Sequence, residues 1–344
     1  MTRSILEPVN AASPSPATGR EVLLAEGISQ SYGPRQALKS LSFSLNAGHV
    51  LGFLGPNGAG KTTAIRILTT IMKPTEGRFF VDGVGSEDPN RIRSSIGVLP
   101  ESLGFPKSNT ALEYLTYFGR LYGRPAGVAR ARAAELLETV GLKERQKSLV
   151  GSFSRGMRQR LGIARSLVND PVVVFLDEPT LGLDPRGQHD LLVIIQQIAR
   201  ERNTGVVLCS HLLSDIEEVC DDVIILSSGR VIASGSVEDV IGQAKGPDGA
   251  AKSRVRIQVP AEGRDRAQQA LEAVGGVTRV AVVGGGDGGW LSIETVEGNG
   301  AGNHHLNNRL LEALIRADIP VLRFEAEVGR LQEAFLHLTE GGIR

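Results

Sequence analysis

Gly55-Pro-Asn-Gly-Ala-Gly-Lys-Thr-Thr63 decides how this chain reads. Gly55, Gly60, Lys61 and Thr62 satisfy the pattern of two glycines with four residues between them followed by lysine and a hydroxyl residue, which binds phosphate when a strand precedes it and a helix follows. Both neighbours are of the required kind. His49-Val-Leu-Gly-Phe-Leu54 is a short apolar run with the look of a buried strand, and Thr62 to Met72 carries Ile65, Leu68 and Met72 on one helical face before Pro74 ends it. Backbone N–H groups of Pro56-flanking Asn57, Gly58, Ala59, Gly60, Lys61, Thr62 and Thr63, with the positive end of the helix, are thus expected around a triphosphate. Lys61 would reach the β- and γ-phosphates, and the Thr62 hydroxyl would hold Mg²⁺.

Working outward, 344 residues give a prior of two domains. The 38 Lys and Arg balance 38 Asp and Glu, so no net field recruits nucleic acid or an anionic membrane. The two cysteines, Cys209 in an apolar strand and Cys220 on an expected helix, stand in no metal-ligand or redox spacing and are read as free thiols in a reducing cytosol. No run approaches the roughly 20 apolar residues that cross a bilayer, and the N-terminus has no apolar core of signal-peptide length. The expectation is a cytoplasmic protein.

Residues 1–20, rich in Ser, Pro and Ala, read as a disordered tail. Strands are expected at Glu21–Glu26 and Leu41–Leu45, the second alternating as an antiparallel strand with one wet face does. Tyr32, in a turn between them, suits either a cover for the core or a platform for adenine. Its place upstream of the phosphate loop favours stacking. Asp82-Gly83 signals a hairpin. Ile96–Leu99 is a short strand, and Glu101 after it projects toward the phosphates. A helical insertion covers about 103–170, and its Arg120, Arg124, Arg130 and Arg132 are read as a solvated face.

Phe153-Ser-Arg-Gly-Met157 opens another helix, with Met157, Leu161, Ala164 and Val168 on one face. Ser154 suits an N-cap, which explains a serine there without any ligand. Gly156 adds access for an anion to the exposed amides. Pro171-Val-Val-Val-Phe-Leu-Asp-Glu-Pro179 is a buried parallel strand ending in two acids, at the strand end where open α/β sheets bind ligands. Asp177 would complete the Mg²⁺ shell through water, and Glu178 would orient or deprotonate the attacking water. His211, at the end of the strand Val206–Ser210, lies on the same edge and can hydrogen-bond a γ-phosphate. Residues 243–253 form a linker by composition. The pattern β-α-β-β-α-β-α over 254–344 suggests a ferredoxin-like sandwich. It contains no catalytic cluster, and His304-His305 reads as surface.

Taken together, the lysine loop, Tyr32, Phe153–Met157, Val172–Glu178, Leu183-Asp184 and His211 resemble the ATP-binding subunits of ABC transporters over residues 21–242. The resemblance implies a P-loop NTPase core with an antiparallel β subdomain and a helical insertion, here joined to a small α+β C-terminal domain. It implies ATP hydrolysis and a head-to-tail homodimer or heterodimer, in which each ATP lies between one chain's lysine loop and the other's signature at Ser154–Met157. It also implies an integral membrane permease subunit that holds the chain on the inner face of the membrane. Arg155 and Met157 replace a glycine and the glutamine of the usual signature, and Glu101 stands where glutamine usually contacts Mg²⁺ and water. Both variants are similar to those of the exporter subclass of antibiotic-resistance, lipid or polysaccharide export, and gliding-motility ATPases. Two rivals remain. A soluble relative acting on nucleic acid or ribosomes would carry a long heptad insertion or two cassettes, and a regulatory module without turnover is disfavoured by Glu178.

Overall fold

In the computed structural model, which describes residues 19–102, 104–243, 252–283, 288–296, 302–327, 331 and 334–335, the chain divides into two units, residues 1–237 and 238–344. The first unit begins with a long antiparallel hairpin, β1 (Glu21–Tyr32) and β2 (Arg35–Asn46). Both strands are longer than the six- and five-residue cores that stand out in sequence. Register shifts at Ala25/Ile28, Ile28/Gln30 and Gln30/Ser31 interrupt their alternation, which hides the outer halves from a period-two reading. Tyr32 therefore sits at a strand end, paired with Arg35, rather than inside the turn. β4 (Glu76–Val81) and β5 (Val84–Gly85) extend this sheet to the order β2-β1-β4-β5, with Asp82 and Gly83 both at positive φ in the hairpin between them.

β3 (Val50–Leu54) is buried at all five residues, as a strand covered on both faces must be. It leads through the glycine loop into α1 (Lys61–Leu68). The helix stops four residues before the expected Met72. The Thr69 hydroxyl donates back to the Ile65 carbonyl (2.7 Å), Thr70 takes φ +61°, and Ile71 is exposed. Next come α2 (Pro89–Ser95), β6 (Ile96–Leu99), α3 (Ala111–Leu121), α4 (Ala126–Thr139), α5 (Arg155–Ser166) and β7 (Val173–Asp177). α6 (Pro185–Arg202), β8 (Gly205–Cys209), α7 (Leu213–Val219), β9 (Asp222–Ser227) and β10 (Arg230–Ser236) follow, and Cys220 lies just beyond α7 rather than in it. The main sheet runs β10-β9-β3-β8-β7-β6, parallel except for the β9–β10 hairpin at its edge.

One core joins the two sheets through α1. It brings Leu23, Ile28, Leu41 and Phe43 of the hairpin against Phe53, Phe175 and Val207 of the main sheet, with Ile65 and Leu68 between. Phe43 and Phe53 meet edge to face with centroids 5.4 Å apart. In the helical part, Arg124 and Arg132 are not a solvated face. Both grip Asp170, which takes φ +52° after α5, with Arg124 at 2.6 Å, and Arg132 also holds Glu135 at 2.6 Å. The helical period cannot reveal this, because the shared acid is 46 and 38 residues away.

α8 (Val237–Gln243) straddles the division between the units. The second unit contains β11 (Lys252–Pro260), α9 (Arg264–Glu272), β12 (Val277–Val283), β13 (Gly288–Val296), α10 (Gly302–Arg316) and β14 (Arg323–Glu327). Its sheet is antiparallel in the order β12-β13-β11-β14, the arrangement of a ferredoxin-like sandwich. Val255, Ile257 and Val259 face Leu271, Leu310 and Leu314 across its own core. The tail up to residue 18, most of the expected linker, the glycine run 284–287 and most of the expected last helix lie outside the described residues.

Candidate functional site

Parallel pairing puts the C-terminal ends of β3, β8, β7 and β6 on one edge of the main sheet. From that edge emerge Gly55, His211, Asp177 with Glu178, and Glu101. The register holds them level, since Cys209 of β8 is the partner of both Phe53 of β3 and Asp177 of β7. Ligands of open α/β sheets bind at such an edge.

Glycine is required in the loop for two different reasons. A Cβ at Gly55 would collide with the Leu226 carbonyl oxygen on β9, and Gly60 holds φ +113° with the Ala37 carbonyl 2.8 Å from where its Cβ would stand. Gly60 is also the N-cap of α1 and gives it no side-chain cap, so the first amides of the helix have no side-chain acceptor at the cap. Pro56, Asn57, Gly58 and Thr62 are exposed, while Ala59 is buried beneath them and Thr63 is half-buried. Lys61 is only 9 % exposed, and its Nζ donates to the carbonyls of Gly55 (2.5 Å) and Pro56 (3.3 Å). Tyr32 is 44 % exposed, and its hydroxyl donates to Met72 Sδ at 3.3 Å, which fixes the ring beside the end of α1. Arg35 across the hairpin brings its guanidinium near Gly58, a cation beside the loop that no sequence motif marks.

The acids are crowded. Burial pushes the Asp177 carboxyl above the ordinary carboxylate range; the charges of Glu178 and Glu101 add to the shift, and Lys61 and Arg66 oppose it. Glu178 takes φ +51°, uncommon for a residue with a side chain, and its N–H donates to the Cys209 carbonyl at 2.9 Å. His211 Nδ1 lies 2.7 Å from Glu178 Oε2. With the carboxylate ionised and accepting, Nδ1 carries the proton and Nε2 is left to meet a ligand. The two residues were expected on one edge, and the structure brings them into direct contact.

Ser154 caps α5, its hydroxyl accepting from the Met157 N–H at 3.2 Å. A Cβ at Gly156 would meet nothing closer than Leu183 Cδ2 at 3.7 Å, so packing within the chain does not demand glycine there. Two residues of this helix tie it to the loop after Glu178. The Gln159 amide, buried, donates to the Pro179 carbonyl at 2.8 Å, and the Arg155 guanidinium lies against Gly182. Sequence reasoning missed Arg35, Gln159 and the buried acid Asp215. No sequence signal was available for Gln159, which lies opposite the apolar face of Met157, Leu161, Ala164 and Val168 on a helix buried on more than one side. The edge as a whole offers one lysine, a helix start and a carboxylate–histidine pair, which suits binding a polyphosphate and activating water against it.

The sequence profile described as "ABC transporter" matches residues 38–181. The chain is 35% identical over 315 residues to the daunorubicin/doxorubicin resistance ATP-binding protein DrrA of Streptomyces peucetius, covering 91% of each. Among solved structures, it is similar to cbiO1 from Clostridium perfringens, described as part of the ABC transporter complex cbiONQ, with a TM-score of 0.61 and 27% identity over 65% of this chain and 92% of that one. The dimeric structure of MJ0796, a bacterial ABC transporter cassette, matches with a TM-score of 0.57 and 25% identity over 62% of this chain and 98% of that one.

Proposed function

This chain belongs to the ABC transporter family as one of its ATP-binding, ATP-hydrolysing subunits, and from that premise we propose that it powers export through a separate membrane subunit. Among the described residues no helix is long and apolar enough to cross a membrane, so a translocation path would come from a partner. The similarity to a resistance protein over 91% of both chains supports export, and the cbiO1 description supports a multi-subunit complex. In this reading the chain sits on the inner face of the membrane. No observation favours action on nucleic acid or ribosomes, and Arg124 and Arg132 are committed to Asp170.

The single observation that carries the hydrolytic part is the 2.7 Å contact between Glu178 and His211 on the edge that also bears Lys61. Lys61 would leave the loop carbonyls for the β- and γ-phosphates of ATP, the amides of Gly58 to Thr63 would receive the phosphate oxygens, and Tyr32 would stack on the adenine. Glu178 would take the proton of the attacking water, and His211 would hold Glu178 with Nδ1 and meet the γ-phosphate with Nε2. Asp177, crowded by two other acids, and the exposed Thr62 hydroxyl are hard oxygen donors that fit Mg²⁺, with Glu101 nearby. Among the described residues no group of three or more His, Cys, Asp or Glu could hold a metal alone, which agrees with an ion completed by phosphate and water. Bound there, Mg²⁺ supplies charge neutralisation at the β- and γ-phosphates. The uncrowded Gly156, at a capped helix start facing outward, fits a signature that meets the ATP of a second copy, as the MJ0796 dimer supports.

The test is Glu178→Gln in the full chain. It should bind ATP normally and lose about two to four decades of turnover, roughly 3–5 kcal/mol of barrier, because the amide cannot accept a proton. It should also accumulate an ATP-bound dimer. Sedimentation that shows only monomer with ATP, while turnover is lost, would sink the two-chain site.

A further inference from the structure

Asp215 is an acid that neither the motifs nor the hydrolytic scheme above uses, and it is only 3 % exposed. A carboxylate costs free energy to bury, so what it holds in return is informative. One oxygen, Oδ2, accepts from the Thr180 hydroxyl at 2.5 Å and from the Ser210 hydroxyl at 3.2 Å. Both hydroxyl residues are fully buried, and Ser210 Oγ in turn accepts from the Leu212 N–H at 3.0 Å. Thr180 stands two residues after Glu178, and Ser210 stands immediately before His211. The two segments continue different strands, β7 and β8, whose pairing ends at Asp177 and Cys209, and are 30 residues apart in sequence; the Glu178 N–H to Cys209 carbonyl bond and the side-chain contact itself also tie them. Glu178 sits at φ +51°, a backbone state that persists only when its surroundings hold it. Pro179 alone separates Thr180 from Glu178, and the Leu181 N–H to the Glu178 carbonyl (3.2 Å) closes the turn that holds Thr180, so a shift of Thr180 is passed back to Glu178.

We propose that Asp215 is a positioning residue that sets the Glu178–His211 pair by clamping Thr180 and Ser210 with one carboxylate oxygen. The inference rests on the reading of Glu178 and His211 as the hydrolytic pair. Asp215 touches neither ATP nor water in this scheme. It fixes the distance between two groups that do, and a misplacement of about 1 Å in such a pair costs up to about a hundredfold in rate.

The experiment measures kcat, the ATP dissociation constant and the melting temperature of the full chain carrying Asp215→Ala, Asp215→Asn, Thr180→Val, or Asp215→Ala with Thr180→Val. Asp215→Ala should lower kcat by about ten- to a hundredfold with ATP affinity held within about twofold, because the phosphate loop is untouched. Asp215→Asn, which keeps a carbonyl acceptor, should recover part of the loss. Thr180→Val, nearly the same shape, should reproduce part of it, and the double variant should be no slower than Asp215→Ala, since both changes break one link. Wild-type kcat in a folded Asp215→Ala protein overturns the proposal, as do losses that multiply in the double variant or an affinity that falls in step with kcat. If Asp215→Ala fails to fold, Thr180→Val decides, and wild-type turnover in it overturns the clamp. Glu178→Gln runs alongside: retained turnover there refutes the hydrolytic reading itself, whereas a dead Glu178→Gln beside a normal Asp215→Ala refutes only the clamp.

Discussion

The surroundings of Asp177 disfavour its charged form. Burial disfavours its charge first, and the carboxylates of Glu178 and Glu101 disfavour it further, with Lys61 and Arg66 offsetting only part. A group in that position withholds stability from the nucleotide-free protein at neutral pH. Asp177→Asn is therefore expected to raise the melting temperature without nucleotide while weakening the gain in melting temperature that Mg²⁺ adds to ATP. Thermal unfolding of the two proteins without nucleotide, with ATP, and with ATP and Mg²⁺ checks both signs, and a lower melting temperature without nucleotide would show that Asp177 is structural. Which residues are legible from sequence follows from the same geometry. Asp177, Glu178 and His211 each adjoin an apolar strand run and Lys61 follows one through the glycine loop, so parallel pairing of those strands predicts one shared edge. Asp215 and Gln159 take their meaning from partners 35 and 20 residues away, Thr180 and Pro179, that no period or spacing links to them. The arginines at 124 and 132 were misread for that reason, because their acid at Asp170 is distant in sequence and near in space.

At the scale of elements, α5 is the part whose sequence and structure say different things. Its start reads as a cap with room for an anion, and the cap is present at Ser154. What the pattern does not show is that the helix is bolted one turn later to the loop following Glu178, through the Gln159 amide on the Pro179 carbonyl. Gln159 is buried, and so is Pro179, so breaking the bond leaves a carbonyl with neither protein nor water in reach. Gln159→Leu, similar in volume, should destabilise the fold by about 1–3 kcal/mol, the cost of an unmade buried hydrogen bond. Urea unfolding with an unchanged slope would give that value, and a variant as stable as wild type would mean that the carbonyl finds another donor. The elements themselves were legible where apolar runs are uninterrupted, as in β3, β7 and β8. They were misjudged where the backbone departs from regularity, at the bulged hairpin of β1 with β2 and at Thr70, whose positive φ ends α1 early.

At the scale of the whole molecule, the second unit carries a core of its own. Val255, Ile257, Val259, Leu271, Leu291, Ile293, Leu310 and Leu314 are all buried within its sandwich. A unit with its own core and sheet is expected to fold by itself, and the lysine loop, Asp177, Glu178 and His211 all belong to the first unit. The division at Val237 cuts α8 from the first unit, whereas the composition starts the linker at the last residue of α8, Gln243. Two truncations bracket the difference, one after Val237 and one after Gln243. Both should bind ATP with the affinity of the full chain, because every side chain assigned to the nucleotide lies before residue 212. The second unit's role would then be to keep two chains near each other or to shape contact with the membrane subunit, and tethering of that kind raises effective concentration without touching the site. Parallel ATP titrations and sedimentation of the full chain and both truncations separate these effects. Dimerisation with ATP should weaken more than nucleotide binding does. A truncated chain that is folded by circular dichroism yet no longer binds ATP would mean that the second unit helps build the site, and that the boundary between the two has been drawn through it.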